Sequence, residues 1–154
     1  MYAKQIRAGE KTVYTLYNAT GHTFCGPALH LDLHHAEHVF DLLRCREADY
    51  QVTKGGADVK LFLARDDVAC LVRLPVRLSV KRSGGILEVS AKDAADGWRV
   101  TACDAGGRVL LETPLSGPAA RLDLGKLPAG ARAECVKLLD GGRLVDVAEV
   151  LEGE

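Results

Sequence analysis

The chain has 154 residues, of which 47% are apolar and 27% charged, and its formal net charge is −1. These values are ordinary for a soluble globular protein with one good core or two small ones. They argue against a nucleic-acid-binding protein, which would carry a basic stripe. They also argue against a membrane protein, because no apolar run approaches the roughly 18 residues needed to span a bilayer. The N-terminus lacks the apolar segment and cleavage site of a signal peptide.

Apolar and polar residues alternate with a period of two along most of the chain, which predicts β-strands. Turn sequences rich in glycine and aspartate, including KGGAD and DAGGR, separate the alternating segments. About a dozen short strands at this spacing predict an all-β fold built as sandwiches or barrels. In chain order we expect strands at 11–18, 28–34, 57–64, 68–74, 77–82, 86–92, 98–103, 108–113, 120–124, 132–139 and 143–150.

One segment, 34–49, also fits a helix. Its sequence HHAEHVFDLLRCREAD places Val39, Phe40, Leu43 and Cys45 close to helical spacing. It lacks an obvious N-terminal cap and is flanked by strands. A turn followed by a strand at 38–44 is therefore the favoured interpretation.

Pro75 indicates a domain boundary, because proline cannot donate to a sheet ladder. We expect two consecutive antiparallel β-sandwich domains, 1–76 and 77–154. The second contains seven strand segments at a spacing typical of immunoglobulin-like or fibronectin-like sandwiches. Trp98 fits the bulky core residue that the third strand of such folds supplies.

Aromatic residues make up only 5% of the chain. We expect Tyr14, Phe62 and Trp98 to lie in the cores. Tyr17 and Tyr50 are the candidates for exposed binding residues, since sugar-binding modules stack their ligands on aromatic side chains. Two scattered tyrosines do not make a platform, so any glycan contact is expected to be weak.

His30, Asp32 and His34 alternate with leucines in the sequence ALHLDLH. If the strand is regular, the three polar side chains share one face, and such a set could bind zinc. The leucine face packs inward, so a solvated polar face explains the pattern without metal, and this is the favoured interpretation. No cofactor is expected, and the paired aspartates of the turns are interpreted as capping residues.

The five cysteines, Cys25, Cys45, Cys70, Cys103 and Cys135, lie at least 20 residues apart and form no CxxC pair. This spacing argues against a zinc knuckle or a disulfide framework. Most of them occur in apolar strand contexts. We expect them to behave as small buried hydrophobic residues.

Four sequence features carry a resemblance. They are Leu-Tyr-Asn (16–18) at a strand end, Gly-Pro (26–27) before an alternating strand, His-Val-Phe-Asp (38–41), and the run RDDVACLVRLP (65–75). With these features, residues 3–76 resemble the C-terminal β-sandwich that follows the (β/α)8 barrel in many glycoside hydrolases. The chain departs from that pattern after Asp41, where Leu-Leu-Arg-Cys-Arg replaces a Trp-Asn-Gly-like turn. The second half resembles the immunoglobulin-like modules often appended to these enzymes.

The resemblance implies that the catalytic carboxylates lie in a barrel outside this chain, so no catalytic residue is assigned here. We expect a non-catalytic accessory region of a carbohydrate-active enzyme. Its partners would be the catalytic domain of the same parent protein, or another protein, and weakly bound carbohydrate. The alternatives are a stand-alone protein–protein interaction or adhesion module, and a small metal-binding protein that uses His30, Asp32 and His34.

Overall fold

The computed structural model describes residues 1–151. Within this range the protein is all-β, with antiparallel strand pairs, one short 3-10 turn and no α-helix, which confirms the predicted fold class at this level. Also within residues 1–151, no helix has the length and apolar character that crossing a membrane requires.

The chain forms two compact units. The first unit contains Met1–Leu43 and Glu47–Pro75, and the second contains Arg44–Arg46 and the chain from Val76 onward. The second unit therefore includes three residues from the first half of the sequence.

The chain from Met1 to Pro75 contains two sheets. One has the strand order β1-β2-β8-β4-β5 and the other the order β3-β7-β6. The strands are β1 (Tyr2–Ala8), β2 (Lys11–Tyr17), β3 (Phe24–Leu31), β4 (Glu37–Asp41), β5 (Arg46–Glu47), β6 (Tyr50–Thr53), β7 (Gly56–Leu63) and β8 (Val68–Pro75).

The core of the first unit is built by alternating side chains from both of its sheets. In β7 the residues at every second position, from Ala57 to Leu63, are buried, while Lys60 and Phe62 between them are exposed. Phe62 is 65% exposed, so the prediction that it lies in the core is wrong. Its strand period places it on the outer face, because Leu61 and Leu63 already fill the inner positions. The buried cluster consists of Tyr14, Leu16, Leu31, Val39, Val59, Leu61, Leu63, Ala69 and Leu71.

The second unit also contains two sheets. Their strand orders are β13-β10-β9 and β12-β11-β14-β15. The strands are β9 (Leu78–Ser83), β10 (Ile86–Ala91), β11 (Trp98–Cys103), β12 (Val109–Pro114), β13 (Ala119–Asp123), β14 (Cys135–Asp140) and β15 (Arg143–Glu149). The 3-10 turn Leu124–Lys126 follows β13. These positions confirm the strands predicted for this half of the chain.

Side chains from both sheets of the second unit meet in its core, as in a sandwich. Leu87 and Val89 of β10 lie in the same buried cluster as Val100 of β11 and Leu138 of β14. Trp98 is half-buried and packs against this cluster from its edge. It is the first residue of β11.

The sequence prediction was less accurate in the first half. It omitted β1, because the strand prediction began at residue 11, and it omitted the short strands β5 and β6. The segment 34–49 contains the strand β4 and a turn at 42–45 instead of a helix, and the strand ends at Asp41 rather than at residue 44.

The cysteines divide into three classes of exposure. Cys45, Cys103 and Cys135 are buried as expected, and Cys70 is half-buried. Cys25 is exposed, so the prediction of burial is wrong at this position. Cys25 lies opposite Phe62 on the outer face of its sheet.

Candidate functional site

The candidate site is on the outer face of the β1–β2 hairpin in the first unit. Ala8 pairs with Lys11 across a two-residue turn, and this register continues until Tyr2 lies opposite Tyr17. Gly9 has φ +62°, the positive value that a tight hairpin turn requires at its first central position. Because residues directly opposite in an antiparallel pair share a face, the two tyrosines are side-by-side neighbours.

An apolar groove of about 350 Å³ lies beside the two tyrosines. Its floor consists of two rows of neighbouring residues across β1, β2 and β8, on the face that is turned away from the core. Leu43, from the turn after β4, lines one wall. The rows are Tyr2–Tyr17–Val68 and Lys4–Thr15–Cys70.

The aromatic and apolar side chains around the groove are accessible. Tyr2 is 71% exposed and Tyr17 is 40% exposed. Leu43 and Val68 are exposed as well. Exposed aromatic and aliphatic groups that line one concavity are typical of binding surfaces.

Tyr17 also has a polar contact at the edge of the groove. Its hydroxyl donates a hydrogen bond of 3.1 Å to Oδ1 of Asp66. This bond, together with the negative charge of Asp66, raises the pKa of Tyr17 above its usual value. The other carboxylate oxygen of Asp66 accepts a hydrogen bond from Nε of Arg65 at 3.2 Å. The hydroxyl of Tyr17 is thus held by Asp66, while 40% of the residue remains exposed.

Tyr50 is not part of this site. It is half-buried on β6, in the other sheet of the unit, where it packs against the core, and burial raises its pKa. The second tyrosine of the groove is Tyr2, which the sequence analysis did not assign as a binding residue. The turn sequence AGEK contained the necessary signal, because a two-residue turn at Gly9 and Glu10 fixes the pairing of every residue before it.

His30, Asp32 and His34 do not share one strand face, because β3 ends at Leu31. The strand ends where Leu31 pairs with Ala57, next to Gly56 at the start of β7. The carbonyl group of Asp32 accepts a hydrogen bond from Nη1 of Arg73, and the backbone NH of His34 donates one to Oε2 of Glu37.

The His30 side chain bonds to Asp58, whereas the zinc hypothesis requires it to bind a metal together with Asp32 and His34. Its Nδ1 atom lies 2.7 Å from Oδ1 of Asp58 on the neighbouring strand. This hydrogen bond is the main cause that raises the pKa of His30. Within residues 1–151, no group of three or more histidine, cysteine, aspartate and glutamate side chains is placed to hold a metal ion. Metal binding by His30, Asp32 and His34 stays a prediction.

No protein-family model, curated protein or solved structure matches this chain. The groove and the residues that line it are therefore the basis for proposing a function.

Proposed function

We propose that this chain is a non-catalytic accessory region of a carbohydrate-active enzyme, and that the groove beside Tyr2 and Tyr17 binds glycan weakly. The single observation that carries the proposal is the pairing of these two exposed tyrosines across β1 and β2. Neighbouring aromatic faces offer a sugar ring an apolar surface for its C–H groups, which a single tyrosine provides only in part.

Polar groups around the tyrosines supply the second requirement of sugar recognition. Lys4 and Thr15 line the groove, and the Asp66 carboxylate is hydrogen-bonded to the Tyr17 hydroxyl. An ammonium group donates hydrogen bonds, a carboxylate accepts them, and a hydroxyl does both. These are the partners that sugar hydroxyl groups need, and a few such groups in an apolar pocket fix the orientation of a ligand.

We further propose that the second unit is an immunoglobulin-like module of this region. Its strand order supports the assignment. The first, second and fifth strands of the unit form one sheet, and the fourth, third, sixth and seventh form the other. Fibronectin-like and immunoglobulin-like sandwiches divide their strands between two sheets in a similar way.

A glycan array followed by calorimetry tests the sugar-binding proposal. We expect binding in the high micromolar to millimolar range, and at least a tenfold loss after Tyr2→Ala or Tyr17→Ala. Phe62→Ala is the matched control, because Phe62 is an aromatic residue about as exposed as Tyr2 and lies on the other sheet of the same unit. An array without signal, or equal losses for Phe62→Ala and Tyr17→Ala, would remove the sugar-binding role.

The apolar wall of the same groove favours a second function, contact with another protein. Leu43 and Val68 have no hydrogen-bonding side-chain atoms and would suit an apolar side chain of a partner, including the catalytic domain of a parent enzyme. Leu43→Asp, which places a charge in this wall, would abolish such a contact. The test is co-purification with the remainder of the parent protein, if the open reading frame is longer. An open reading frame of only this length would exclude the accessory role.

A further inference from the structure

Three of the five thiols lie together in the second unit. Cys103 of β11 and Cys135 of β14 are direct partners in the strand register. Cys45, which belongs to the Arg44–Arg46 segment of this unit, has its Sγ atom 3.0 Å from Sγ of Cys135. The exposed fractions of Cys45, Cys103 and Cys135 are 2%, 0% and 0%. Cys135 is therefore the central thiol of a buried three-cysteine cluster whose outer members are separated along the chain.

The neighbours of the cluster distinguish its members electrostatically. The adjacent Cys135 side chain is the largest cause that lowers the pKa of Cys103, and the Lys137 ammonium and the Thr101 hydroxyl act in the same direction. Conversely, the hydrogen bond with Cys103 and burial raise the pKa of Cys135. The direction of these shifts favours Cys103 as the member that loses its proton, and the thiolate is the reactive form of cysteine.

Cys45 lies in a turn that requires an unusual backbone conformation. Residues 42–45 form the turn after β4, and Cys45 has φ +48°, which is uncommon for a residue with a side chain. The Cys45 thiol donates to the backbone carbonyl of Asp104 at 3.4 Å. A short strained turn can open locally without unfolding the sheets, and this gives a small oxidant a route to the sulfur atoms.

We propose that this cluster is an oxidation site, at which a small hydroperoxide joins Cys45 and Cys135 in a disulfide by way of Cys103. The proposal does not depend on the proposed function, because the cluster lies in the second unit and the groove in the first. The product links two residues that are 90 positions apart. Closing so long a loop of chain stabilises a fold by restricting its unfolded state.

The reaction with hydrogen peroxide has three steps. The Cys103 thiolate attacks one peroxide oxygen, so that an S–O bond forms, the O–O bond breaks and hydroxide leaves with Cys103 as a sulfenic acid. Cys135 gives its proton to that hydroxide and attacks the Cys103 sulfur. A Cys103–Cys135 disulfide forms as the S–O bond breaks, and the released hydroxide takes the Cys45 proton to become water.

In the last step the Cys45 thiolate attacks Sγ of Cys135, and Cys103 leaves as a thiolate. In sum, two thiols lose two protons and two electrons, one peroxide is reduced, and two molecules of water are formed. Cys103 ends the sequence in the form in which it began.

Peptide mapping after oxidation tests the proposal in the unmodified protein. Cleavage after glutamate places each of the five cysteines in a different peptide. After treatment with hydrogen peroxide and alkylation, we expect a crosslink between the peptides of Cys45 and Cys135, and alkylation of Cys25, Cys70 and Cys103. Alkylation of all five cysteines, or oxidation confined to the exposed Cys25, would overturn the proposal.

Each step has a variant that stops the reaction at a different product. Cys45→Ser should accumulate the Cys103–Cys135 disulfide, and Cys135→Ser should leave a sulfenic acid on Cys103 that dimedone labels. Cys103→Ser should slow formation of the Cys45–Cys135 crosslink at least tenfold, whereas the control Cys25→Ser should not change its rate. An unchanged rate in Cys103→Ser would contradict the role of Cys103.

Dimedone provides a check that needs no substitution, in case a serine in the core prevents folding. Added with peroxide to the unmodified protein, dimedone should label Cys103 and reduce the yield of the Cys45–Cys135 crosslink. Labelling of Cys25 alone with an undiminished crosslink would exclude Cys103 as the first sulfur to react.

Discussion

The two units build their cores in the same way, but they differ in where their aromatic and cysteine side chains lie. In both, apolar side chains at alternate positions fill the space between two sheets. The first unit places aromatic side chains on its outer faces, with Tyr2, Tyr17 and Phe62 all exposed. The second unit keeps three cysteine side chains, Cys45, Cys103 and Cys135, inside. The proposed ligand site is therefore on the surface of the first unit, whereas the proposed oxidation site is inside the second.

The units also differ in the buried polar side chain that binds their backbone. In the first, the amide nitrogen of Asn18 donates to the carbonyl groups of His22, Leu63 and Ala64. In the second, the carboxylate of Asp146 accepts from the backbone NH groups of Arg77, Leu78 and Val147. The neutral donor serves carbonyl groups and the charged acceptor serves NH groups. The bonds to Leu63, Leu78 and Val147 lie in the interior, where a backbone group without a partner is costly.

The largest difference in the free energy of unfolding is expected between substitutions on the inner and outer faces of β7. Leu63→Ala should lower the free energy of unfolding by about 3 kcal/mol, because it leaves a cavity in the core of the first unit. Phe62→Ala, one residue away on the outer face, should change it by less than about 0.5 kcal/mol. Urea denaturation followed by circular dichroism measures both. Equal losses would show that Phe62 is covered.

The charged acceptor of the second unit is expected to have the next largest effect. Asp146→Ala should cost about 2.5 kcal/mol, since it removes a charged acceptor and leaves backbone NH groups unsatisfied. Hydrogen exchange should show faster exchange at Arg77 and Leu78 while the amides of β2 remain protected. Asp146→Asn, which keeps one acceptor oxygen, should lose about half as much. A loss of protection confined to the first unit would contradict this assignment.

In the first unit, Asn18→Ala should cost about 2 kcal/mol, because three carbonyl groups lose a donor. The matched control is Thr20→Ala, which removes the hydroxyl that bonds to Oδ1 of Asn18 and to the His22 carbonyl oxygen and should cost less than about 1 kcal/mol. Thermal unfolding of the two variants, measured side by side, checks the order. A larger effect for Thr20→Ala would reverse this interpretation.

The smallest effect concerns the exposed ion pair of His30 and Asp58. The pKa of His30 is raised above 6.5, mainly by its hydrogen bond with Asp58. The stabilisation from this pair is therefore fully present below the unfolded pKa, and it disappears as the pH rises through the folded value. An NMR titration of the His30 ring should show a lower pKa in Asp58→Asn. Asp32→Asn is the control and should lower it less, since Asp32 makes the smallest contribution among the causes of the shift.

Prediction from sequence was most successful where strand formation depends on local pattern. All seven strands of the second unit were predicted within a few residues, because they are short apolar segments separated by turn sequences. The prediction of a strand at 28–34 was wrong at its C-terminal end. The leucines of ALHLDLH continue to alternate, although β3 ends at Leu31. A strand continues only as far as a partner strand forms hydrogen bonds with it. For β3 that partner is β7, which begins at Gly56.

Candidate site residues were harder to predict than strands. Tyr17 is exposed as expected, but its neighbour Tyr2 lies in β1, a strand that the sequence pattern did not reveal. Tyr50 was also expected to be exposed, but it is half-buried and lies in a different sheet. Exposure depends on which face the other strands cover, so the composition of a segment does not determine it.

The sequence by itself determined the all-β class and which alternate side chains of most strands face a core, because a period of two is a local property of the extended chain. Only the tertiary structure decided which side chains from distant parts of the sequence become neighbours. Tyr17 and Val68 become neighbours through the pairing of β2 with β8, and Cys45 reaches Cys135 across 90 positions of sequence. Such contacts form when distant segments bury their apolar surface together, and no local pattern records which segments those will be.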